Sequence, residues 1–189
     1  MNVQQMYKEK LTTPEIAAQS IKSGDLIYTP SEANEPTAIW EALADRKDEL
    51  KGVRVRQFLT RRKHRYVDPS FAENIKVESL FVTTPIRQMV HDGYATYMPF
   101  NFSDMPAMVR QGGCDVWMAT VTPMDEHGYF CYGLGCDYSP ACVEVAKTII
   151  VEENPNMPWT GGYNKVHISQ VTHIIRDNTP IFELEQPTI

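Results

Sequence analysis

The sequence predicts an α/β fold, a mainly parallel sheet flanked by helices. Three observations carry that expectation. Short apolar runs alternate with stretches of helical period, as they do where strands are joined by crossover helices. The 189 residues suffice for one large domain with an adequate core, without help from a metal or disulfides. The 42% hydrophobic and 22% charged residues are ordinary for a globular protein.

Each element has its own signal. Thr12 or Thr13 can cap a first helix, with Pro14 in its opening turn and Ile16, Ala17, Ser20 and Ile21 along one face. Ser23-Gly24-Asp25 ends it, and Leu26-Ile27-Tyr28-Thr29 follows as a strand. Residues 30–36 form a loop, and a second helix over 36–50 turns Ile39, Ala42 and Leu43 inward. Residues 53–59 alternate apolar and basic side chains at the period of a strand. Further strands are expected at 77–82, 116–121 and 148–151, with a shorter one at 95–99. Helices are expected between them at 85–91, 103–110 and 140–147. Residues 128–132 read as a hairpin arm and 166–175 as β structure. The domain is placed at 1–177, and the polar, proline-containing stretch 178–189 reads as a linker or tail.

Charge and composition remove several functions. With 18 basic against 24 acidic side chains the chain carries −6, the wrong balance for neutralising nucleic-acid phosphates. No apolar run approaches the roughly 20 residues of a membrane span, and polar residues 1–10 lack the apolar core of a secretory signal. Cys114, Cys131, Cys136 and Cys142 form no CxxC pair, so reduced, packed thiols in a cytoplasmic protein are expected rather than a metal site.

Few local motifs speak of chemistry. Arg61-Arg62-Lys63-His64-Arg65 is a dense basic run after a strand end, where ligands of open α/β sheets sit. It either grips a phosphate-bearing ligand through its Arg forks or stands as a solvated loop. Gly112-Gly113 and Gly133-Leu134-Gly135 fit neither a dinucleotide fingerprint nor a Walker loop, and read as turn formers. Asp125-Glu126-His127-Gly128 sets an imidazole beside carboxylates. Adjacent residues point different ways, however, so a turn held by the Asp125 side chain is the better reading. His91, His167 and His173 stand singly. Tyr94, Tyr97, Phe100 and Phe102, with Trp40, Trp117 and Trp159, either fill a core or line an apolar pocket.

Taken in order, several segments resemble the acetyl-CoA hydrolase/transferase family, the group that includes 4-hydroxybutyrate CoA-transferase. They are Tyr7-Lys8-Glu9-Lys10-Leu11, Ile21-Lys22-Ser23-Gly24-Asp25, Glu35-Pro36 with Glu41-Ala42-Leu43, and Pro123-Met124-Asp125-Glu126-His127-Gly128-Tyr129. Asn154-Pro155-Asn156-Met157-Pro158 and His167-Ile168-Ser169-Gln170 complete the set. The similarity runs from about Tyr7 to Ile175 and implies the N-terminal half of a CoA-transferase fold. It implies CoA as acyl carrier, a small carboxylate as co-substrate, no metal, and transfer through a glutamate that attacks the thioester. In the family that glutamate and the glycine-rich CoA-binding segments lie in a C-terminal half, so no residue of this chain is assigned as catalytic.

What the resemblance gives this half is one wall of the substrate cleft. Thr29, Ser31 and Asn34, Thr60 at a strand end, and Ser103 are its candidate substrate-binding residues, able to position oxygens without titrating. Loop 29–34 lacks the glycines common in the family, and Trp159 and Gly161 replace its Arg and His; substrate preference is expected to differ accordingly. The expected partners are acyl-CoA, the C-terminal half or subunit, and a second copy in a homo-oligomer. An acyl-CoA hydrolase half and a non-catalytic scaffold derived from the fold remain alternatives.

Overall fold

The computed structural model describes residues 2–184. Seven strands form one sheet in the order β4-β3-β2-β1-β5-β7-β9, and every pairing within it is parallel. The strands are β1 (Leu26–Tyr28), β2 (Val53–Gln57), β3 (Ile75–Ser79), β4 (Ala95–Tyr97), β5 (Cys114–Val121), β7 (Ala146–Glu153) and β9 (His173–Arg176). A separate antiparallel pair joins β6 (Tyr129–Cys131) to β8 (Lys165–His167). Helices α1 (Val3–Lys10), α2 (Pro14–Ala18), α3 (Ala38–Asp45), α4 (Thr84–His91), α5 (Met105–Gly112) and α6 (Ser139–Val145) complete the layers.

Period-two alternation sorts the core into two halves. Ile27, Val116, Met118 and Ile150 face a cluster completed by Ala17 of α2, Leu43 of α3 and Ile86 of α4. Leu26, Tyr28, Trp117, Ile149 and Val151 face the opposite cluster, with Val109 of α5, Cys142 of α6 and Phe130 of β6. The expected α/β fold therefore holds, as does the hairpin arm around β6.

Several boundaries differ. The helix expected at 36–50 stops at Asp45, because Arg46 leaves helical geometry; its side chain bonds the Ala18 carbonyl and pairs with Glu49. The strand expected at 77–82 runs over Ile75–Ser79, set by register with β2 from Val53↔Ile75 to Gln57↔Ser79. The helix expected to reach residue 147 yields at Ala146, where β7 begins pairing with β5 at Cys114. Residues 166–175 split into β8 and β9 around a turn. Helix α1 was not anticipated; Asn2 caps it, accepting a hydrogen bond from Gln4 N–H at 3.0 Å.

From β1 the chain winds outward to β4, then returns to place β5 on the other side of β1. The boundary between β1 and β5 is thus a topological switch point, and the crevice beyond the carboxyl ends of such strands is where ligands of this architecture bind.

Candidate functional site

Loop 29–37 leaves β1 and closes over that crevice. Asn34 is fully buried; its Nδ2 donates to the carbonyls of Thr120, at 2.9 Å, and of Tyr132. Thr120 Oγ1 donates in return to the Glu35 carbonyl at 3.3 Å. The loop backbone is held from a third side, since Ser31 N–H donates to Asp137 Oδ2 at 2.8 Å and Tyr138 O–H donates to the Thr29 carbonyl at 2.5 Å. Burial raises the Tyr138 phenol well above its usual value, so it remains a donor.

Two non-glycine residues with left-handed backbone meet here, Glu32 (φ 52) and Asp137 (φ 42). Such conformations cost on the order of 1 kcal/mol or more and persist where the surroundings over-determine them. The side-chain acceptor that Asp137 gives to Ser31, and the Glu32 N–H bond to Leu59 O at 2.9 Å, supply that determination.

Loop 29–37 and the start of α6 also carry buried polar atoms with nothing to bond. Thr29 Oγ1, Ser31 Oγ, Asn34 Oδ1 and Ser139 Oγ are buried and have no hydrogen-bond partner among the described residues. Leaving such a group unsatisfied costs about 1–3 kcal/mol, and four on neighbouring segments are an unusual concentration.

Beneath this loop lies a second buried network. The Glu35 carboxylate, 1% exposed, accepts from Thr60 Oγ1, from Arg61 N–H at 3.0 Å and from Arg62 N–H at 3.3 Å. His64 Nε2 stands 3.7 Å from it, and the imidazole stacks on Tyr66. Thr60 Oγ1 also lies 2.6 Å from Gln57 Oε1. The same Gln57 oxygen accepts from Tyr66 O–H at 2.8 Å.

The predicted residues therefore divide. Thr29, Ser31 and Asn34 come together at the crevice. Thr60 is one loop away with its hydroxyl committed to Glu35. Ser103 is exposed on a 3₁₀ turn and bonds only its neighbour, Asp104 Oδ1, at 3.4 Å. Sequence reasoning passed over Glu32, Glu35, His64 and Asp137. Glu35-Pro36 was visible only as a matching motif, and nothing local marks Asp137 as the acceptor for a residue 106 positions away.

The other motifs resolve structurally. Asp125 Oδ1 accepts from the N–H groups of His127 (3.0 Å) and Tyr129 (2.8 Å), with Gly128 at φ 89; the expected turn is present. Within the basic run, Arg61 pairs with Glu32, Arg65 with Asp45 and Glu41, and Arg62 donates to the Pro180 carbonyl over the Phe182 ring. Trp40 and Trp117 fill the core, whereas Tyr94, Tyr97, Phe100, Phe102 and Trp159 are exposed. Glu152, buried under the start of α3, accepts from Thr37 N–H (2.9 Å) and Ile39 N–H (2.7 Å). Burial raises its carboxyl to about 7, against those two hydrogen bonds and with help from the charge of Asp177.

Among the described residues no group of three or more His, Cys, Asp or Glu side chains could hold a metal ion, and no helix is long and apolar enough to cross a membrane.

Fold and crevice together define a doubly wound parallel domain that presents neutral hydroxyl and amide groups at its switch point. The chain belongs to the acetyl-CoA hydrolase/transferase family, whose N-terminal domain matches residues 1–184. It is 37% identical over 188 residues to the succinyl-CoA:cyclohexane-1-carboxylate CoA transferase of Geobacter metallireducens, covering 97% of this chain and 42% of that protein. It is 30% identical over 191 residues to the 4-hydroxybutyrate coenzyme A transferase of Clostridium kluyveri, covering 100% of this chain and 44% of that protein. The crystal structure of RipA from Yersinia pestis superposes with a TM-score of 0.93 at 36% identity, covering 100% of this chain and 47% of that one. The chain thus spans less than half the length of these relatives.

Proposed function

We propose that this chain is the N-terminal half of an acyl-CoA:carboxylate CoA-transferase and supplies one wall of its substrate cleft. The observation that carries this reading is the pair of orphaned hydroxyls on Thr29 and Ser31 at the switch point. Two hydroxyls can donate to a carboxylate or thioester oxygen without changing charge, so they can orient either substrate through the exchange. In this reading the glutamate nucleophile belongs to a C-terminal half, as the family resemblance implies, and no side chain of the present chain forms a covalent bond. Thr60 and Glu35 hold the wall in place; Ser103 is a peripheral member.

On this reading CoA is the acyl carrier, a small carboxylate the co-substrate, and the cytoplasm the site of action. The enzyme needs no metal and assembles with its C-terminal half and with a second copy of itself. The test is an acyl-CoA assay of this chain alone, of a C-terminal half alone, and of the two joined, each with and without acetate. Acetate-dependent transfer in the joined protein only is expected. Turnover by this chain alone would overturn the division of labour, and a rate independent of acetate would replace transfer by hydrolysis.

A further inference from the structure

A second cleft lies beside the crevice, on the side of the sheet that carries α3 and α4. It has a volume of about 1000 Å³ and runs between one face of α4 (Thr84, Pro85, Gln88, Met89), with Asp92 just past it, and the loop that follows β2. Val67, Pro69, Phe71, Met89 and Tyr94 give it an apolar floor, and Phe182 and Leu184 lean over it.

Its basic side chains gather at one end. Arg61 and Lys63 follow the carboxyl end of β2, and the N-terminus of α4 follows the carboxyl end of the adjacent parallel β3. Cationic side chains and the positive end of the helix dipole therefore lie at one end. Asp92, just past α4, lies at the other, beside Tyr94, and accepts from Gln88 Nε2 at 2.8 Å; Asp68, the second acid, accepts from Ser70 N–H and feels the charge of Lys63. Arg61 uses only Nε toward Glu32, leaving both Nη groups without an acceptor among the described residues, and Lys63 is exposed with no ion pair among them. Arg65 is neutralised by Asp45 and Glu41.

An apolar cleft with a cationic mouth fits a carboxylate on an unbranched alkyl chain. We propose that this cleft binds a medium-chain fatty carboxylate, its head between Arg61 and Lys63 and its chain along Met89, Val67 and Phe71 toward Tyr94. The eight residues of α4 give the channel a length of roughly 12 Å, which matches octanoate better than acetate. The site is separate from the wall described above, and its occupancy does not depend on the transferase reading. It does adjoin that wall, because Arg61 and His64 also face Glu32 and Glu35.

The chain itself is the material for the test. Octanoate, hexanoate, acetate, octanol and inorganic phosphate are titrated in turn, with amide NMR shifts as the readout. Saturable shifts are expected for octanoate, confined to residues 61–71 and 84–94. Hexanoate should bind about tenfold more weakly for its two missing methylenes, and acetate, octanol and phosphate more weakly still. Lys63→Glu and Gln88→Glu alter exposed side chains and should each weaken octanoate at least fivefold without loss of spectral dispersion. No saturable shift with octanoate, shifts centred elsewhere, equal binding of octanol, or unchanged affinity in both variants would each overturn the proposal. Tight phosphate binding that excludes octanoate would replace the ligand class with a simple anion.

Discussion

Gly135 has no side chain because Asn34 occupies its space: a Cβ there would sit 2.7 Å from Asn34 Oδ1. Gly135→Ala should push the amide off the Thr120 and Tyr132 carbonyls and destabilise the domain by about 1–3 kcal/mol, read as a lower denaturation midpoint. Glu152 gives a prediction in pH. Its folded value, about 7, lies above its ordinary 4.5, so the folded state holds the extra proton between them. The contribution is fully present below pH 4.5 and is lost as pH rises through 7, with a slope of at most about 1.4 kcal/mol per pH unit. Stability measured by urea unfolding from pH 4.5 to 7.5 should show that decline, and Glu152→Gln should flatten it; an unchanged slope in the variant would assign the decline to another group. At this scale the sequence was partly legible. Loop 29–34 could be placed after β1, and the family resemblance marked Thr29, Ser31 and Asn34 within it. Glu35, Asp137 and Glu152 could not, because each acts on backbone groups that only the tertiary fold brings near.

Element boundaries show what periodicity can and cannot define. β5 and α4 were readable because their apolar patterns are complete within themselves. β3 began two residues before its expected start, since its limits follow the ladder with β2 rather than its own hydropathy. Helix α1 escaped notice because its contacts, polar and apolar, are made with residues distant in sequence. Tyr7 O–H donates to Glu153 and accepts from Arg176 Nε at 3.0 Å, while Lys10 Nζ reaches the carbonyls of Ile168 and Val171. Tyr7→Phe should cost about 1–2 kcal/mol and loosen α1 selectively. Hydrogen exchange over residues 3–10 should accelerate while β5 and β7 stay protected; uniform acceleration would show instead that α1 is part of the global folding unit.

For the whole molecule, 189 residues describe an adequately cored domain, yet one that spans 42–44% of two CoA-transferase relatives. The stability of the fold and the completeness of the chemistry are therefore separate questions. The fold closes its own sheet: Thr12 N–H bonds the Ile174 carbonyl along the β9 edge, and residues 177–182 run across Thr37, Asn154 and Arg62. The crevice is left with unspent hydroxyls. If those hydroxyls exist to meet a ligand, removing them should not harm the fold, since deleting an unsatisfied buried group is neutral or stabilising. The most direct measurement is the paired stability and transfer rate of Thr29→Val and Ser31→Ala, with stability taken on this chain and the rate on the joined protein. The account predicts melting midpoints equal to or above that of the parent, with kcat/KM for the carboxylate lowered at least tenfold, about 1.4 kcal/mol of transition-state binding. Lower midpoints with undiminished transfer would contradict it, and would make Thr29 and Ser31 parts of the scaffold.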